Sequence, residues 1–127
     1  MIQPIKTLTK LLKEWVPNII AHADAVQAIG KVPIDVQDLG IDSLSLSGHK
    51  FGAPKGIGIF YLKKGIKCNL LIEGGELEEG LRSGIENVPY IMGVAKSLEI
   101  INHNLSEKLI SLSKFDDKFF KALKEIP

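Results

Sequence analysis

Residues 19–27, Ile19-Ile20-Ala21-His22-Ala23-Asp24-Ala25-Val26-Gln27, read as a buried strand that delivers a carboxylate and then, three residues on, an amide just past its end. Ligands of open α/β sheets lie outside the carboxyl ends of strands, so both polar groups stand where a ligand would. Outward from this stretch, Leu44–Ser47 reads as a second strand. It runs into Ser47-Gly48-His49-Lys50 and a glycine-rich turn at Gly56-Ile57-Gly58 that returns the chain to the sheet. Gly58-Ile59-Phe60-Tyr61-Leu62 reads as a third strand, bounded by glycine.

Helical spacing flanks these strands. Ile5, Leu8, Leu11, Leu12 and Trp15 predict an amphipathic helix over residues 4–15, started by Pro4 and stopped by Pro17. The first strand is expected at Asn18–Ala23, and Val36–Leu39 as a short turn-like helix. From about Val88, the series Ile91, Val94, Ala95, Leu98, Ile101, Leu105, Leu109 and Leu112, then Phe119, Phe120 and Leu123, predicts a long final helix. A bend is expected at Asn102-His103-Asn104, where helix propensity dips. The fold class is α/β, a small sheet with flanking helices.

Composition removes several functions. With 16 basic and 15 acidic residues the net charge is +1, which gives no electrostatic case for nucleic acid or an anionic membrane. No apolar stretch approaches the roughly 20 residues that span a bilayer, and the amino end has no leader pattern, so the expected location is cytoplasmic. The single cysteine, Cys68, suits a reducing compartment rather than a disulfide scaffold. Gly56-Ile57-Gly58 lacks the order of a phosphate loop or dinucleotide fingerprint.

Lys50 and Asp24 together carry a chemistry. A lysine amine forms an imine with an aldehyde, and pyridoxal phosphate needs such a lysine together with an acid that keeps its ring nitrogen protonated. Each residue also has an ordinary reading. Lys50 alone is a solvated charge, Asp24 alone caps the turn after its strand, His49 is a turn residue, and Ser47-Gly48 is loop punctuation. His22 and His103 read as structural or solvated.

The ordered set Ala23-Asp24-Ala25-Val26-Gln27-Ala28-Ile29-Gly30-Lys31, Ser47-Gly48-His49-Lys50 and Pro54-Lys55-Gly56-Ile57-Gly58 resembles class V aminotransferases. Gly74-Gly75, Gly80-Leu81-Arg82-Ser83-Gly84 and Glu86-Asn87-Val88-Pro89 narrow the resemblance to the NifS-like cysteine desulfurases, over nearly the whole chain. The resemblance implies a fold-type I large domain with a mixed sheet, of which residues 1–127 form one partial segment. It also implies pyridoxal 5'-phosphate as cofactor, L-cysteine as substrate with L-alanine and transferable sulfur as products, a homodimer, and a place in iron–sulfur cluster assembly. Aminotransfer and selenocysteine cleavage are related activities of the class. By resemblance Asp24 faces the pyridine nitrogen, Gln27 donates to the phenolic oxygen, Lys50 forms the Schiff base and acts as general base, and Ser47 with His49 holds the phosphate.

The same resemblance implies that a whole member has further segments. These are a glycine-threonine loop at the phosphate and a ring-stacking histidine on one side, a nucleophilic cysteine loop and a substrate-binding arginine on the other. Cys68 aligns with neither. Without the thiolate that attacks sulfur, this stretch alone is expected to be inactive as a desulfurase. Two departures lie within it. By resemblance, family members carry a histidine, three glycines, a glutamine and an arginine where this chain has Glu73-Gly74-Gly75-Glu76-Leu77-Glu78-Glu79, so Glu73, Glu76, Glu78 and Glu79 add negative charge. Ile85 stands where a threonine reaches the partner subunit's phosphate. Negative charge there opposes anion binding, although a solvated acidic loop is the ordinary reading. No ligand-spacing motif supports a metal. The alternative to an enzyme piece is a non-catalytic remnant or interaction subunit, docking on a full-length or split relative. A partial sheet with an uncovered edge is expected to self-associate or to need such a partner.

Overall fold

The computed structural model describes residues 2–69, 72, 74–75 and 78–126. Helix α1 spans Ile5–Trp15. It is followed by strands β1 (His22–Asp24), β2 (Ser43–Ser47) and β3 (Gly58–Leu62), and by helix α2 (Val88–Leu123). Short 3-10 turns occupy Gly48–Phe51 and Glu78–Gly80. The three strands form one sheet in the order β1-β2-β3. β1 runs parallel to β2 with Asp24 opposite Ser45, and β3 returns antiparallel with Leu62 opposite Ser43 and Gly58 opposite Ser47. The sheet is therefore mixed, as expected.

The strand expected at Asn18–Ala23 is shorter and lies later. The Ile19 N–H donates to Val16 O at 3.0 Å, a turn that follows Pro17 and keeps this part of the chain out of the ladder. Pairing starts only at His22, opposite the first residue of β2. Val36–Leu39 is a single turn rather than a helix, closed by Leu39 N–H to Asp35 O at 2.9 Å. Asn102-His103-Asn104, where a bend was expected, lies within α2, which runs uninterrupted for 36 residues. A dip in local propensity over three positions does not outweigh the hydrogen bonds of the turns on either side.

Alternation along the strands sorts their side chains into two faces. Ala23, Leu44, Leu46, Ile59 and Tyr61 share one face, and the core forms there: Ala25, Ile41 and Leu44 are buried with Ile5, Ile34 and Leu39 packed around them. A second cluster, Phe51, Ala53 and Val94, joins the Gly48–Phe51 turn to the first third of α2. Its closeness has a visible cause, because a side chain at Gly93 would stand 3.0 Å from Pro54 Cδ. Asn87 caps α2 by accepting the Tyr90 N–H at 3.3 Å, with Pro89 in the first turn. The other face of the sheet carries His22, Asp24, Ser45, Ser47 and a half-exposed Phe60.

Helix α1 is amphipathic, yet its apolar ridge is not the side that docks. Thr9 is buried and Ile5 joins the core, whereas Leu8, Leu11, Leu12 and Trp15 line a shallow surface groove and Trp15 is 86% exposed. Beyond Ile110, α2 presents Leu112, Phe115, Phe119, Phe120 and Leu123 to solvent. Among the described residues no helix is long and apolar enough to cross a membrane.

The amino end of β2 is tied down by charge. Asp42, with a side chain only 5% exposed, accepts from the Ala21 N–H at 3.0 Å and from Lys13 Nζ at 2.7 Å, with Lys63 Nζ 3.6 Å away. Lys13 also donates to Gly40 O at 2.8 Å, so one ammonium joins α1 to the strand entrance. Burial pushes the Asp42 carboxyl up. The Ala21 N–H, the Lys13 hydrogen bond and the charges of Lys13 and Lys63 outweigh it and hold the group below the ordinary value.

Candidate functional site

β1 and β2 are parallel, so their carboxyl ends open on the same edge of the sheet, and the sequence-predicted residues gather there. Asp24 is the last residue of β1 and is exposed. Its Oδ1 accepts the Val26 N–H at 2.9 Å, the turn-capping bond that an aspartate at a strand end commonly makes. No bond to Asp24 Oδ2 is made among the described residues, so one carboxylate oxygen orients the side chain and the other has no donor among them.

The chain then winds through two tight turns over residues 25–32, with Ala28 N–H to Ala25 O at 3.0 Å and Val32 N–H to Ala28 O at 3.1 Å. That winding stacks Lys31 over Gln27, whose Oε1 accepts from Lys31 Nζ at 3.2 Å. Asp24, Gln27 and Lys31 line one cavity of about 590 Å³, walled on its apolar side by residues of the first core cluster.

Ser47, His49 and Lys50 lie outside this wall, at the end of the neighbouring strand. Ser47 Oγ and His49 Nδ1 are 2.9 Å apart, two donor-bearing groups side by side. Lys50 sits one residue on, exposed, in the Gly48–Phe51 turn. That turn is held from below by the buried Phe51 and from the side by Gly48. The Gly48 N–H donates to Ile57 O at 2.9 Å, and a side chain at Gly48 would meet Ile57 Cγ2 at 3.0 Å and Pro54 O at 3.1 Å. The glycine thus lets the Pro54–Gly58 return press against the turn and fix where Lys50 emerges.

Sequence reasoning passed over two contacts. His22 bridges the strands through Nδ1 to Ser43 Oγ at 2.9 Å and Nε2 to Ser45 Oγ at 3.5 Å, with its ring tilted against Phe60. The signal was available in the alternation of Ser43, Ser45 and Ser47 on one face. In sequence Lys31 is only the end of a motif; its four-residue spacing from Gln27 carries meaning once residues 25–32 are known to wind.

Cys68 departs in the other direction. β3 ends at Leu62 opposite Ser43, so the chain leaves the sheet at the edge away from Lys50, and Cys68 follows that exit with its thiol exposed. Of the acidic loop, Glu73, Glu76 and the Glu79 side chain lie outside the described residues. Glu78 is exposed at a left-handed φ of 51°, and Ile85 is 88% exposed. Among the described residues, no group of three or more His, Cys, Asp or Glu side chains is arranged to hold a metal ion.

The chemistry of this donor set fits pyridoxal phosphate. An acid and an amide stand at one strand end, and a hydroxyl, an imidazole and an amine stand at the next.

A family model described as Aminotransferase class-V matches residues 1–127. The chain is 48% identical over 126 residues to a cysteine desulfurase IscS of Methanosarcina thermophila, covering 99% of this chain and 31% of the relative. It is 40% identical to a cysteine desulfurase IscS of Dictyoglomus turgidum, covering 98% of this chain and 31% of that one. Among solved structures, a NifS-like protein superposes with a TM-score of 0.93 at 43% identity, over 97% of this chain and 34% of its own. A NifS-like protein from Rickettsia africae does so with a TM-score of 0.89 at 32% identity, over 97% and 34%. The chain spans about a third of the length of the relatives it matches.

Proposed function

The chain belongs to the class V aminotransferase family, and from that premise we propose that it is the cofactor-carrying segment of a pyridoxal phosphate-dependent cysteine desulfurase-like protein. The observation that carries the reading is the shared edge of β1 and β2. It gathers Asp24, Gln27, Ser47, His49 and Lys50 from two parallel strands and the turns that follow them. The cofactor, when bound, supplies an aldehyde for the lysine and an electron-accepting ring. Lys50 supplies the amine for that aldehyde and, released by substrate, a base. Asp24 presents a carboxylate that keeps a ring nitrogen protonated, and Gln27 presents an amide to the phenolic oxygen. Ser47 and His49 offer adjacent donors to a phosphate.

Residues 1–127 act as one partial large-domain segment. In the whole protein the substrate is L-cysteine, the products are L-alanine and a transferable sulfur, and the setting is a cytoplasmic homodimer serving iron–sulfur cluster assembly. This stretch by itself captures the cofactor weakly and moves no sulfur, because its one thiol, Cys68, leaves the sheet at the far edge. Adding pyridoxal phosphate to the purified chain is expected to give a visible band of lysine-bound cofactor that disappears in Lys50→Ala. A band of equal size in that variant, or none in the parent, sinks the cofactor assignment. A robust desulfurase rate from the chain alone sinks the inactivity assignment.

A second reading is favoured by the apolar rows of α1 and α2 that face solvent. In it the chain is a non-catalytic remnant or interaction subunit that docks on a full-length or split relative. Association with complementary segments and recovery of activity only in the mixture favour a split enzyme; association without activity favours the interaction subunit.

A further inference from the structure

We propose that Lys31 is a positioning residue for the cofactor site, fixing which end of the Gln27 amide is presented to the ligand; the inference rests on the cofactor reading above. An amide side chain has a donor end and an acceptor end, and rotation by half a turn exchanges them. A free glutamine at the rim of a cavity presents either one. Lys31 removes that freedom. Its ammonium has donors and no acceptor, so only the amide oxygen can face it, and the bond from Lys31 Nζ to Gln27 Oε1 leaves Nε2 directed away from the lysine. Nε2 then carries the two hydrogens that an anionic phenolic oxygen accepts, whereas the flipped amide sets oxygen against oxygen and repels it.

The local fold supports the pair. Both side chains line the same cavity as Asp24, and the bonds that wind residues 25–32 hold the two positions one turn apart. The titratable groups on that cavity wall are His22, Asp24 and Lys31. His22 is engaged with Ser43 and Ser45, and Asp24 with the Val26 N–H. Lys31 is the lysine of this set, and its ammonium donates to the Gln27 amide oxygen at 3.2 Å.

The test has one arm without cofactor and one with it, on the full chain. Without cofactor, the Gln27 side-chain amide resonances are compared in the parent, Lys31→Met and Lys31→Arg. The methionine variant is expected to shift them and the arginine variant, which keeps a donor, to restore them. Coincident Gln27 resonances in parent and Lys31→Met overturn the proposal whether or not the chain takes up cofactor. With pyridoxal phosphate, the ratio of the protonated to the unprotonated band of lysine-bound cofactor is read at one fixed mildly alkaline pH. A phenolic oxygen that loses its amide donor holds the shared proton more tightly. Lys31→Met is thus expected to raise the ratio about threefold, the weight of part of one ordinary hydrogen bond. The same change made in a Gln27→Leu background is expected to leave the ratio unmoved. A threefold rise that persists without Gln27 shows the lysine acting by charge alone and overturns the positioning role. Absence of any band dependent on Lys50 in the parent defeats the cofactor reading itself, and the resonance comparison then still decides the amide's orientation.

Discussion

The two ends of β2 are built on opposite principles. At the amino end Asp42 is buried, accepts hydrogen bonds from a backbone amide and a lysine, and has a second lysine nearby. At the carboxyl end Lys50 is exposed and the Ser47 and His49 side chains bond only each other among the described residues, while at the end of the neighbouring β1 Asp24 has one oxygen engaged. Five residues of strand separate a closed polar cluster from an open one. The closed end locks helix to sheet, whereas the open end leaves donors and acceptors for something else. Unspent hydrogen-bonding capacity beside a fixed backbone is what a binding site requires and what a purely structural end avoids.

Substitutions can break this contrast. The largest loss of stability is expected from Phe51→Ala, which empties the cluster under the Lys50 turn and costs about 3 kcal/mol in denaturant unfolding. An unchanged midpoint would show that the open end has no fixed floor. Asp42→Ala is expected to cost about 2 kcal/mol, because it frees the Ala21 N–H and two lysines at once. A loss no larger than that of Lys63→Met would show the closed end to be ordinary surface. Acid sharpens the same point. The Asp42 carboxyl is held below its ordinary value of 3.8, so its contribution is complete above that pH and disappears as the pH falls through the lower folded-state value. The acid limb of the stability curve should flatten in Asp42→Asn; an identical limb in both proteins would remove Asp42 from the account. Smallest of all, Lys50→Ala should leave the unfolding midpoint where it is, while removing the cofactor band. A marked loss of stability would make Lys50 a structural residue.

Much of this arrangement was legible in the chain. Gly58–Leu62 and the long helix were found because alternation and helical spacing are written in side-chain types. The limits of β1 were not, because a strand extends only as far as its neighbour pairs with it, and β2 begins opposite His22. The helical spacing of α1 predicted the helix but does not say which side packs. Leu8, Leu11, Leu12 and Trp15 form the apolar ridge, but Thr9 and Lys13 face the sheet because Asp42 and Gly40 O receive the lysine there. That Asp24 and Gln27 follow one strand and Lys50 the next was legible in the strand pattern, whereas a shared role for them comes only from the family resemblance. The Lys31 bond was not, since it depends on turns whose bonds leave no compositional mark.

The length of α2 has a hydrodynamic consequence. Thirty-six helical residues make a rod of about 54 Å, whereas a compact chain of 127 residues has a radius of gyration of about 14 Å. Since the core contacts of the rod run from Val94 to Ile101 and its distal turns present Leu112, Phe115, Phe119, Phe120 and Leu123 to solvent, tumbling should be anisotropic, with amide relaxation along the distal turns reporting a slower axis than in the sheet.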